Sequence, residues 1–150
     1  MKKGSAGRYI FKLFLFFLYI VVMTYILFFA EGFGRSEGTL RYNFVPFREI
    51  MRYINYRDVV GDQVFALNIF GNILLFVPLG FFIPALFTGD GHYPMGAILL
   101  CFVFSSSVEI IQLYTRLGSC DVDDIILNTL GGIIGYILYR IYSVIRRGYG

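Results

Sequence analysis

Four long apolar runs set the pattern of this chain: Phe11–Ala30, Val64–Phe87, Met95–Tyr114 and Ile125–Val144. Each is close to the ~20 residues that a helix needs to cross ~30 Å of hydrocarbon. Only helices and closed barrels satisfy their backbone groups in lipid. The runs are about twice the length of a barrel strand and do not alternate, so they predict helices. The expected fold is therefore all-α: a polytopic membrane bundle of four transmembrane helices in one domain over residues 1–150. The first run follows Lys2, Lys3 and Arg8, but its apolar core exceeds a signal-peptide h-region and no A-x-A site follows. It reads as an uncleaved span. Pro78, Gly80 and Pro84 in the second run suggest a kink that neighbouring helices can tolerate.

Four spans put both termini on one side, with a long connection from Glu31 to Gln63 and two short ones. Within the long connection, Phe47, Ile50, Met51 and Ile54 recur at a helical period, with Arg48, Arg52 and Asn55 between them. Pro46 sits where a first helical turn would start. The segment fits a short amphipathic helix in the headgroup layer, its arginines meeting lipid phosphates. It fits equally a re-entrant or bundle-capping segment with its arginines in water. The Lys/Arg count is six on the terminal side against six in the loops, so the positive-inside rule nearly ties. The clean flank of the first span favours cytoplasmic termini.

Composition narrows the class. The 150 residues are 57% hydrophobic and only 15% charged, against roughly 25% charged in average soluble domains. With mean hydropathy at +0.69, a disordered chain, a disulfide scaffold and a basic nucleic-acid binder are all excluded. Cys101 and Cys120 read as free thiols. His92 is the only histidine, which argues against structural zinc, haem and His-based catalysis.

The polar residues segregate by depth. At 1.5 Å per residue, Asn68 and Asn72 lie roughly 6 and 12 Å into the second span, and Glu109 and Gln112 within about 8 Å of the end of the third. Asp121, Asp123, Asp124 and Asn128 open the fourth. All fall in one half of the bilayer. Asn68 and Asn72 are i and i+4, Glu109 and Gln112 i and i+3, and Asp121, Asp124 and Asn128 i, i+3 and i+7, so each set shares a helix face. An ionised group at mid-membrane costs about 2.5–3.5 kcal/mol, so these faces are expected to turn inward around a water-filled cleft. Plainer roles compete. Asp121 or Asp123 can N-cap the fourth helix, the asparagines can join helices, and Ser105, Ser106, Ser107, Gly131 and Gly135 can permit close packing. Glu109, with no obvious basic partner, is the strongest functional candidate. It could accept from Gln112 and the asparagines, or pair with a first-loop arginine.

Four motifs occur in order: Asn43-Phe44-Val45-Pro46-Phe47; Asn68 to Phe81 with Gly71, Asn72, Pro78 and Gly80; Ser107-Val108-Glu109 with Gln112; and Asp121-Val122-Asp123-Asp124 with Asn128, Gly131 and Gly132. Their order and spacing resemble the VanZ-like family across nearly the whole chain. Leu117-Gly118-Ser119-Cys120 departs from the pattern, lacking a second basic or aromatic residue before the acidic run. The resemblance implies a multi-pass bacterial membrane protein of the cell envelope, in a family whose namesake is linked to resistance to the glycopeptide teicoplanin. It maps family motif residues onto Asn43, Pro46, Phe47, Asn68, Gly71, Asn72, Pro78, Gly80, Glu109, Gln112, Asp121, Asp124 and Asn128.

Three functions compete. The first is binding or modifying an envelope component, such as a cell-wall precursor lipid or a glycopeptide, in a cleft lined by Asn68, Asn72, Glu109, Gln112, Asp121, Asp124 and Asn128. The loop motif Asn43, Pro46, Phe47 and Arg48 would lie beside it. The second is a metal-dependent enzyme on lipid-linked phosphate or glycan, with Glu109, Asp121 and Asp124 as acid/base groups or hard ligands for Mg²⁺ or Ca²⁺. Against it, no arginine or His base accompanies the acidic run. The third is a proton- or cation-coupled transporter, as a single chain or a homo-oligomer. Against it, the other half of each span carries no polar path and no inverted repeat is visible.

Overall fold

A computed structural model describes residues 3–29, 42–88 and 94–148. The elements run α1 (Lys3–Phe29), β1 (Tyr42–Asn43), α2 (Arg48–Asn55), α3 (Arg57–Val60), α4 (Asp62–Ala66), α5 (Asn72–Ile83), α6 (Pro94–Thr115), β2 (Cys120–Asp121) and α7 (Val122–Gly148). Two π-helical stretches, Leu67–Gly71 and Pro84–Thr88, flank α5 and keep the second span helical from α4 onward. The helix continues through Pro78. Among the described residues, four helices are long and apolar enough to cross a membrane: Ala6–Phe29, Asp62–Phe87, Pro94–Thr115 and Val122–Gly148. All-α architecture and the count of four spans are as the hydropathy predicts.

The boundaries shift outward. The second helical span begins at Asp62 rather than Val64, and the fourth covers Val122–Gly148 rather than Ile125–Val144. The physical reason is that a helix does not end where its apolar run ends. A capped acidic turn opens α7, and Arg146 and Arg147 close it, where cations favour a helix C-terminus. At 27 residues, α7 is about 40 Å long, more than the ~30 Å of a hydrocarbon core. Ala30, at the end of the first apolar run, lies outside the described residues.

Each span buries one stripe. On α6 it is Ala97, Cys101, Ser105, Val108, Glu109 and Gln112, spaced by three or four residues. On the other side Leu99, Phe102, Val103, Ile110 and Ile111 are exposed, which suits lipid and not water. The core joins Met23 of α1, Phe76, Leu79 and Ile83 of α5, and Ala97, Cys101 and Val108 of α6. Helix α1 lies at the periphery and is tied in by the Tyr19 hydroxyl, which donates to the Leu75 carbonyl at 2.7 Å. Both thiols are free and buried.

The closest packing joins α5 and α7. A Cβ added at Gly131 would meet the Ile73 carbonyl oxygen, and one at Gly135 the Val77 carbonyl oxygen. These glycines let two backbones approach, as in small-xxx-small contacts between membrane helices. At the polar end, β1 pairs with β2 in parallel, Tyr42 beside Cys120 and Asn43 beside Asp121. That short ladder draws the first connection onto the start of α7.

Substituting Gly131 with alanine is expected to destabilise the protein by about 1–3 kcal/mol, the usual cost of overpacking a filled interior. Gly7→Ala, where nothing lies within 4 Å, should be neutral or slightly stabilising because alanine is the better helix former. Thermal unfolding of the two variants in detergent checks the contrast.

Candidate functional site

The acidic run opens α7 in two different ways. Asp121 precedes the helix, and its Oδ1 accepts the Asp123 N–H at 2.9 Å, the N-cap that its residue type suggests. Asp123 does not cap its own helix. Its carboxylate accepts the N–H groups of Phe47, Glu49 (2.8 Å) and Ile50 (3.1 Å), the free donors at the start of α2. Phe47 holds a left-handed backbone, φ 65°, which is uncommon for an aromatic residue. Its bond to Asp123 compensates that conformation. Asp123 is 1% exposed, so its charge is met by backbone donors and not by water.

A layer of polar contacts surrounds this joint. Glu109 Oε2 accepts the Asp121 N–H at 2.7 Å, binding α6 to the start of α7. The Asn43 amide donates to Asp121 Oδ1 at 2.9 Å. The Asn72 amide donates to Asp124 Oδ1 at 2.6 Å, joining α5 to α7. The Asn128 amide donates to the Ser105 hydroxyl at 2.9 Å, joining α7 to α6. Gln112 donates to the Leu27 carbonyl at 3.1 Å, joining α6 to α1. Asn68, on the π-helical stretch, donates only to Val64 of its own span at 2.8 Å. Asn72 and Asn128 thus join helices, as the sequence allowed, and Asn68 does not. The partner of Glu109 is a backbone N–H, not Gln112 or an arginine.

Asn68, Asn72, Glu109, Gln112, Asp121, Asp124 and Asn128 all line one cavity of about 500 Å³. Of the loop motif, Asn43 and Arg48 line it as well. Pro46 and Phe47 do not: both are exposed, and Pro46 precedes a helix that begins at Arg48, so it is not in the first helical turn. The opposite wall is the polar face of α2, with Arg48, Glu49, Arg52 and Tyr53. Arg52 forms an ion pair with Glu49 and stacks over Tyr53 at 5.1 Å. Sequence reasoning set the first-loop helix and its arginines beside the cleft, but missed Asp123 as the clamp and Glu49 and Tyr53 as lining residues. The amphipathic period predicts a polar face on α2, but no local signal says what that face meets.

Among the described residues, no group of three or more His, Cys, Asp and Glu side chains is placed to hold a metal ion. Glu109, Asp121 and Asp124 each accept an N–H donor. Burial pushes the Asp121 carboxyl above its ordinary range, outweighing the Asp123 N–H, the Asn43 amide and the Arg52 charge, which act the other way. Burial also raises Glu49, against the pull of Arg52.

The VanZ/LLP1 family model matches residues 16–143, and the chain belongs to that family. It is 30% identical to Protein VanZ of Enterococcus faecium over 123 residues, covering 81% of this chain and 69% of that protein. No solved structure matches the chain.

Asp123→Ala removes the acceptor of three N–H groups and should cost about 2–3 kcal/mol, within the range for charged hydrogen-bonding groups. Hydrogen exchange at Phe47, Glu49 and Ile50 should speed up while exchange in mid-α5 stays slow. Asp121 also gives stability a pH dependence. A carboxyl raised in the folded state binds its proton more tightly there than when unfolded. Its stabilising contribution is full below the ordinary carboxylate range and is lost as pH climbs through the raised value. Asp121→Asn keeps a capping side chain and should flatten that part of a stability-against-pH curve.

Proposed function

We propose that this VanZ/LLP1 protein binds or modifies a cell-envelope component in the cavity between α2 and spans α4–α7, and so contributes to resistance to glycopeptides such as teicoplanin. One observation carries the reading: acid and amide side chains from three spans surround a single cavity at one end of the bundle. Groups that expensive inside a membrane generally mark a working site. The start of α1 and the end of α7 lie at the opposite end. With the termini cytoplasmic, the cavity opens toward the outer leaflet, where envelope precursors and glycopeptides meet. Helix α2 lies in the headgroup layer and brings Arg48 and Arg52 to that opening.

Expression of Glu109→Gln and Asp124→Asn variants in a teicoplanin-susceptible host tests this. Each keeps a polar side chain of the same size and removes an ionisable carboxyl. Loss of a charge-assisted contact should weaken ligand binding by about 10- to 100-fold and return susceptibility to that of cells lacking the protein. Unchanged susceptibility at equal membrane abundance defeats the proposal. Labelling of Ser119→Cys from outside intact cells, in a Cys120→Ser background, checks the orientation; Ser119 is exposed, whereas Cys120 is buried and a poor reporter.

A further inference from the structure

The inner wall of the cavity is built to receive hydrogen bonds. Gln112 is 8% exposed and Asn128 1% exposed, and both line the cavity. Gln112 Oε1 and Asn128 Oδ1 are buried with no hydrogen-bond partner. The orientation of Gln112 is set by chemistry: its amide nitrogen faces the Leu27 carbonyl, which can only accept. Its oxygen is thereby left over. A buried acceptor without a partner is costly, and native structures rarely leave one without a reason. The carboxylates of Glu109 and Asp124 stand in the same wall. The outer wall is cationic. Arg52 is held by Glu49, while Arg48 lines the cavity and makes no ion pair among the described residues.

Resting on the reading above that this cavity is the site, we infer that it takes a primary ammonium joined to a phosphate, the headgroup chemistry of phosphoethanolamine. The ammonium seats against Gln112, Asn128, Glu109 and Asp124, and the phosphate against Arg48. An ammonium offers three N–H donors and no acceptor, which complements the unmet oxygen of Gln112, the Asn128 amide and the oxygens of two carboxyl groups. Arginine suits a phosphate oxygen. A trimethylammonium has the same charge and no donor, so it leaves the amide oxygens unmet.

The test uses the full chain purified in detergent, with ligand binding followed by native mass spectrometry and by thermal shift. The probes are phosphatidylethanolamine, phosphatidylcholine and phosphatidylglycerol of identical acyl chains, and soluble phosphoethanolamine. Phosphatidylethanolamine should bind about tenfold more tightly than either other lipid, the margin expected of charge-assisted hydrogen bonds. Soluble phosphoethanolamine competing at comparable strength identifies a free headgroup as the source, and competition only by the lipid identifies the bilayer. Gln112→Met with Asn128→Leu should erase the preference over phosphatidylcholine. Arg48→Gln, at an exposed position, should weaken both zwitterionic lipids without disturbing the fold, and it carries the test if the double variant does not fold. Equal binding of ethanolamine and choline lipids overturns the inference, as does saturation of the site by Ca²⁺ or Mg²⁺ alone. Those results combined with loss of resistance in Glu109→Gln would leave the proposed function standing and remove only this ligand.

Discussion

The arrangement depends on how one carboxylate is satisfied. Asp123 sits buried near the membrane edge, where an unpaired charge is expensive. Its partners are the open N–H groups at the start of α2, more than seventy positions away in the chain. Two problems cancel: a helix start with unmet donors and a buried charge with unmet acceptors. The consequence is architectural. The first connection cannot float over the bundle, because α2 is fastened to α7, and the parallel Tyr42–Asn43 ladder fastens the segment just before it. A polar face that would otherwise open to bulk water becomes one side of a walled cavity.

The spans were legible because the bilayer imposes a length and forbids unpaired backbone, and both constraints leave long apolar runs. The convergence of Asn72, Glu109, Gln112, Asp121, Asp124 and Asn128 was legible for a related reason. Polar residues in a span must face inward, and helical spacing says which of them share a face. What was not legible depends on pairing between distant segments. Asp123 is indistinguishable in sequence from a capping residue, since the acidic run offers both Asp121 and Asp123 for one cap. Only the neighbouring helix start reveals that Asp121 caps α7 and Asp123 caps α2. The two-residue strands carry no periodic signal at all. Pro46 misled for a simple reason: proline suits a first helical turn, but here Phe47 takes the left-handed turn and the helix waits until Arg48.

Helix α7 explains why the cavity is at one end only. Its successive turns change character along one stripe: Asp124 and Asn128, then Gly131 and Gly135, then Tyr139. At the glycines the backbones of α5 and α7 touch, and no space remains for water or ligand. One turn earlier the side chains become long and polar, and a carboxylate and an amide hold α5 and α6 at a distance through Asn72 and Ser105. The acid–amide turn lines the cavity, and the glycine contact does not.

That gradient also shapes what the cavity can hold. The amide nitrogens of Asn72, Gln112 and Asn128 donate to Asp124, Leu27 and Ser105. The oxygens of Gln112 and Asn128 are left without a partner. The bundle therefore ends with unmet amide oxygens inside and the arginines of α2 outside. The same contacts that assemble the bundle give its cavity a polarity running from an acceptor-rich interior to a cationic mouth.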